Sequence, residues 1–246
     1  LLLAGRNQPP FHSTLFTFHH GSTIRSRPAP IKSCRGPEPV PPFPTFHLPL
    51  SRRFVYLVRM RAFLAIALPD GIKAKLTAAI QRFAPVAAEV KWCTKDQFHL
   101  TLAFLGEVSP AILPHVTAAT ERVCASTPAF TCRAYGLGFF GTKRNPSSLW
   151  AGIAPAPELM LLQERLWMEL KKFGFENSER DFRPHVTFGR CRESVRNHPV
   201  IEAMDADENV DFGKWPVKCV TLYESRLTPR GPVYHALAHT ALAGPC

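Results

Sequence analysis

Four His-x-Thr tripeptides occur in this chain of 246 residues: His12–Thr14, His99–Thr101, His115–Thr117 and His185–Thr187. An imidazole changes protonation near pH values of about 6.5, so two of them facing one space could serve one reaction as acid and base. Hydroxyls beside them could donate to charge developing on an oxyanion. The tripeptide is short enough to arise by chance. Two copies even share the letters "PHVT", at 114–117 and 184–187. The elements that carry the copies must sort them.

Alternate side chains of a strand share a face. "FHLTLAFLG" (98–106) and "PHVTFGR" (184–190) read as strands. His99 and Thr101 then point one way and Leu100 the other, and His185 and Thr187 likewise oppose Val186. In 109–126 the residues Ile112, Val116, Ala119 and Val123 recur at helical spacing behind Pro110, a first-turn proline. At roughly 100° per residue, His115 and Thr117 lie about 200° apart and flank that stripe. His115 is therefore expected on the solvated surface. His12 sits in a stretch with no periodicity. The same alternation puts Phe104 opposite His99, which predicts core packing for Phe104 rather than stacking on a nucleobase.

Two imidazoles and two hydroxyls on facing walls suit the opening of a cyclic phosphodiester. One His deprotonates water, the other protonates the leaving alkoxide, and Thr101 and Thr187 donate to the non-bridging oxygens. The residues alone do not say which His is which. Arg190 ends the second motif strand and Arg183 precedes it, and a guanidinium there would recognise phosphate in a forked geometry. Glu107 and Asp181 do not complete a metal cage with the motifs, and the reaction as drawn needs no metal and no cofactor.

The remaining elements follow from periodicity. Strands are expected at 61–68, 89–93, 129–140 and 149–154, and helices at 71–84 and 157–175. "GTKRNPSS" (141–148) reads as a turn, and the strands 217–227 and 233–242 close as a hairpin through "TPRG". Strand, helix and His-x-Thr strand thus come twice. This predicts an α+β fold built on a duplicated unit, with two mainly antiparallel sheets whose motifs meet in a shared cleft.

Composition sets the surroundings. No apolar run is long enough to span a membrane. Seven cysteines without C-x-x-C or zinc-like spacing point to reduced thiols, and so to a reducing, cytoplasmic setting. The net charge of +11 is concentrated in the first 59 residues, which carry eight Lys/Arg and one acid. Residues 60–246 are only mildly basic, which favours a small anionic substrate or a nucleic-acid end over a long duplex. The first 59 residues also hold ten of the 24 prolines and show no helical or strand period. They read as a disordered basic extension. An over-extended reading frame, a transit peptide and an arm touching RNA phosphate all remain open.

Four blocks in one order, "MRAFLAIALPDGIKAKL", "VKWCTKDQFHLTLAFLGEV", "FRPHVTFGRCR" and "VTLYESRLTPRGPVYHAL", resemble the two-histidine phosphoesterases. Within them the likeness is to the RNA 2′,3′-cyclic phosphodiesterases, also called 2′-5′ RNA ligases, and it runs from Met60 to about His239. The first 59 residues have no counterpart in the family pattern. The resemblance implies a bilobal domain over 60–246 with a V-shaped cleft between pseudo-symmetric sheets, working as a monomer on RNA ends or oligonucleotides. It implies hydrolysis of a terminal 2′,3′-cyclic phosphate to a 2′-phosphate. His99 would be the proton donor and His185 the proton acceptor. Thr101 and Thr187 would hold the phosphate, aided by Arg190. A non-catalytic RNA-end binder, a phosphodiesterase for small cyclic nucleotides, ADP-ribose cyclic phosphate or 2′–5′ oligonucleotides, and 2′–5′ joining as the reverse reaction are the competing functions.

Overall fold

Strand β1 (Met60–Ala67) is buried continuously from Ala62 to Ile66, as a strand covered on both faces must be. It belongs to a computed structural model that describes residues 59–87, 89–177, 181–192, 199–229 and 231–244. All of these lie in the unit running from Phe54 to Cys246. The expectations for residues 1–58 fall outside the described residues.

Helix α1 (Asp70–Phe83) buries Ile72, Leu76, Ala79 and Phe83 on one stripe. The short strand β2 (Val90–Trp92) follows, then a single 3₁₀ turn at Lys95–Gln97, and then β3 (His99–Val108). Helix α2 (Leu113–Ala125) follows a 3₁₀ turn at Pro110–Ile112. Strands β4 (Phe130–Thr142) and β5 (Asn145–Ile153) form a hairpin, and α3 (Pro157–Lys171) leads on to β6 (His185–Cys191). Helix α4 (Pro199–Asp205) and strands β7 (Asp211–Val217), β8 (Cys219–Thr228) and β9 (Gly231–Ala241) complete the described chain.

The strands form two antiparallel sheets, ordered β3-β1-β8-β9 and β2-β6-β5-β4-β7, so the α+β architecture is as expected. Each sheet carries one His-x-Thr strand. The sheets do not coincide with the two halves of the sequence, however. Strand β2 crosses over to pair with β6, while β8 and β9 return to β1. The two sheets are therefore stitched together by the chain itself.

Several boundaries differ from those the periodicity predicts. Strand β3 runs through Gly106 to Val108, because Gly106 adopts φ 71° at a bulge instead of ending the strand. The turn expected over 141–148 is confined to residues 143–144: Thr142 pairs with Asn145, and its Oγ1 accepts from the Asn145 amide at 3.0 Å. Helix α3 stops at Lys171, and Gly174 (φ 81°) lies in the turn that follows. Strand β7 was not foreseen, since Gly213 and Pro216 argue against a strand. It is tolerated as the outer strand of its sheet, where a proline removes no ladder bond. The closing strand consequently starts at Cys219 rather than at 217. Helix α4 was also unforeseen.

Among the described residues, five cysteines (Cys93, Cys124, Cys132, Cys191 and Cys219) are free thiols. No helix among them is long and apolar enough to cross a membrane.

Candidate active site

The two His-x-Thr strands wall one cleft of about 340 Å³. His99, Thr101, His185, Thr187 and Arg190 all line it; Arg183, the other guanidinium noted in the sequence, does not, and only its backbone carbonyl takes part, beside His185. The intervening Leu100 and Val186 are fully buried and anchor each strand to its core. His115 is exposed on α2, its ring 5.6 Å from that of Phe173, and lies outside this cleft.

Each cleft imidazole is aimed by the same local device. His99 Nδ1 lies 2.9 Å from the Gln97 carbonyl, and His185 Nδ1 lies 2.6 Å from the Arg183 carbonyl. A carbonyl only accepts, so both Nδ1 atoms carry hydrogen and donate. Both Nε2 atoms are left as the nitrogens available for chemistry. Aromatic rings then fix the ring planes. His99 sits against Phe63 at 4.7 Å and edge-on to Tyr234 at 5.0 Å. His185 is edge-on to Phe140 at 4.8 Å, with Trp150 at 6.1 Å. The environments differ in electrostatics. Burial pushes the His99 pKa down to about 4, and the charges of Arg190 and His185 add to this. The Gln97 carbonyl opposes the shift. His99 is therefore neutral at neutral pH.

Beyond the threonines, both strands break their alternation. Register in β3 jumps from Thr101 to Ala103, leaving Leu102 unpaired against β1, and Leu102 and Ala103 are both buried. Register in β6 jumps from Thr187 to Gly189, leaving Phe188 unpaired against β5, and Phe188 and Gly189 are both buried. Each bulge shifts the face by one residue. The residue five places after each His therefore returns to the cleft: Phe104 in one wall, Arg190 in the other. This corrects the sequence reading of Phe104. It is 47% exposed and lines the cleft, with the Arg61 guanidinium 5.5 Å from its ring centre.

Sequence reasoning missed further lining residues. Lys91 of β2 and Ser148 of β5 are the register partners of Arg190 on either side, so the three form a row across the floor. Tyr234 reaches in from β9. Gln97 ties the β8–β9 hairpin to the cleft. Its side-chain amide donates to the Pro232 carbonyl at 2.8 Å, while its backbone carbonyl orients His99. No local pattern marks Lys91, Ser148 or Tyr234, since cross-strand register alone places them. Gln97 did carry a signal, as the fourth residue of the capping box begun by Thr94. Among the described residues, no carboxylate lines this cleft.

The fold matches solved structures of other proteins. A Thermus thermophilus protein superposes with a TM-score of 0.65 at 30% identity, covering 75% of this chain and 99% of that one. LigT of E. coli, solved with 3′-AMP, superposes with a TM-score of 0.61 at 26% identity, covering 76% and 99%. The sequence pattern of the 2′-5′ RNA ligase superfamily matches residues 68–228, and the chain belongs to that family. Relatives include the RNA 2′,3′-cyclic phosphodiesterases of Thermotoga maritima and Archaeoglobus fulgidus. The first is 31% identical over 75% of this chain and 97% of its own length. The second is 32% identical over 72% and 98%.

Proposed function

We propose that this chain is an RNA 2′,3′-cyclic phosphodiesterase that opens the cyclic end to a 2′-phosphomonoester by metal-independent acid–base catalysis, with residues 60–246 as the working domain. One observation carries the reading. Two imidazoles, each with Nδ1 tied to the carbonyl two residues back, present free Nε2 atoms to one cleft alongside Thr101, Thr187 and Arg190. The relatives described above support the general activity.

In this reading, water attacks phosphorus on the side of His185, whose Nε2 takes its proton. The P–O3′ bond breaks, and His99 Nε2 gives its proton to O3′. Thr101 and Thr187 donate to the non-bridging oxygens as charge builds, and the Arg190 guanidinium neutralises it. His99 by itself is neutral at neutral pH, so it takes up its proton together with the phosphate. A phosphate anion beside it favours the charged imidazole and offsets the cost of burial.

The test is to incubate the full chain with RNA ending in a 2′,3′-cyclic phosphate in the presence of EDTA and to identify the terminal phosphate. A 2′-phosphate product is expected. An unchanged end, with folded protein that still binds it, would favour an RNA-end binder instead.

A further inference from the structure

A second cavity, of about 400 Å³, adjoins the first. The two share the wall formed by His99, Thr101, Phe104, Arg190, Pro232 and Tyr234. The second cavity has a wall of its own, made by Arg61 and Phe63 of β1 and by Ser225 and Leu227 of β8. Its chemistry is mixed. Leu227 is 67% exposed and Phe104 nearly half exposed, two apolar side chains open to one cavity. Arg61 lines this cavity, lies over Phe104 and makes no ion pair among the described residues. Tyr234 lines both cavities. Burial pushes its phenol pKa up, while the charges of Arg190 and Arg61 pull it back.

An unpaired arginine beside an exposed ring and an exposed leucine suits one kind of ligand, an anion joined to a flat heterocycle. The cavity volume accommodates one such group. We propose that it is the subsite for the nucleotide on the 5′ side of the cyclic end, with Arg61 holding the internal phosphodiester and Phe104 and Leu227 taking the base. This rests on the cyclic phosphodiesterase reading above. A mononucleotide fills only the first cavity, so the second cavity makes the enzyme favour oligonucleotide ends. A forked, charge-assisted contact to one phosphodiester is worth roughly a tenfold gain or more.

Kinetics with three substrates test this: a nucleoside 2′,3′-cyclic phosphate, a dinucleotide with the same cyclic end, and that dinucleotide with a neutral methylphosphonate as its internal linkage. The wild-type protein is expected to show a kcat/KM about tenfold higher for the charged dinucleotide than for either other substrate. Arg61→Met should remove most of that ratio and Arg61→Lys should keep part of it. Equal kcat/KM for all three substrates in the wild type, or a ratio untouched by Arg61→Met, would overturn the subsite and leave the phosphodiesterase reading standing. A wild-type protein that opens none of them would instead overturn the phosphodiesterase reading.

Discussion

Phe104 and Arg190 hold equivalent places on the two strands that wall the cleft. Each lies five residues after its histidine, each follows a bulge, and each faces the cleft, although strict alternation from the histidine assigns both to the core. One wall thereby gains an aromatic surface and the other a fixed positive charge. The division suits a ligand with a base at one end and a phosphate at the other.

Replacing Arg190 by Met should lower kcat/KM on a cyclic-phosphate end by roughly tenfold to a hundredfold, the scale of a lost charge-assisted hydrogen bond. Arg190→Lys should recover only part, because an ammonium cannot reproduce the fork. Steady-state kinetics measure both. A lysine variant equal to wild type would argue against forked recognition.

His99→Ala and His185→Ala should each cost on the order of 10²–10⁴ in kcat. The double variant should be little worse than the worse single one, since an acid and a base that act in one step are not additive. Multiplicative losses in a double-mutant cycle would show that the two histidines work separately.

His99 also makes a prediction about stability and pH. Its folded pKa, about 4, lies below the ordinary value of 6.5. Above pH 6.5 the group is neutral in both folded and unfolded chains and has no effect. As pH falls from 6.5 towards 4, the unfolded chain takes up a proton that the folded one refuses, and stability drops. The loss is complete below about pH 4 and amounts to roughly 3 kcal/mol, at about 1.4 kcal/mol per pKa unit. His99→Gln should flatten this part of the Tm-against-pH curve relative to wild type, and inorganic phosphate bound in the cleft should do the same. A curve of identical slope in the variant would place the His99 pKa near its ordinary value.

Gly138 is predicted to matter although it never meets substrate. A Cβ there would lie inside van der Waals contact with the Trp150 ring, which stands behind His185. Gly138→Ala must move that ring, at a cost of about 1–3 kcal/mol for overpacking. It should also misplace His185, lowering kcat more than it raises KM. Thermal unfolding and kinetics read the two effects separately, and an unchanged kcat would show that Trp150 does not position the imidazole.

The periodic signals in the sequence were enough to separate His99 and His185 from His115, because side-chain direction follows from the local period of 2.0 or 3.6. They also placed β1, β3, β6, α1 and α2 to within a few residues. Strand β7 escaped because Gly213 and Pro216 are poor strand formers, permitted there only by the edge position that the sheet order confers. Phe104 escaped for a related reason. Its side is set by the unpaired Leu102, and whether a residue goes unpaired is decided by the partner strand, not by the strand itself.

Local pattern therefore marks which side chains could do chemistry and the faces they share within an unbroken strand. Pairing between distant strands sets which of them meet: the crossing of β2, the row Lys91–Arg190–Ser148, and the return of Phe104 to the cleft. The first set depends on backbone geometry that repeats every two or four residues. The second depends on register between strands distant in the chain, where one unpaired residue reverses every face that follows.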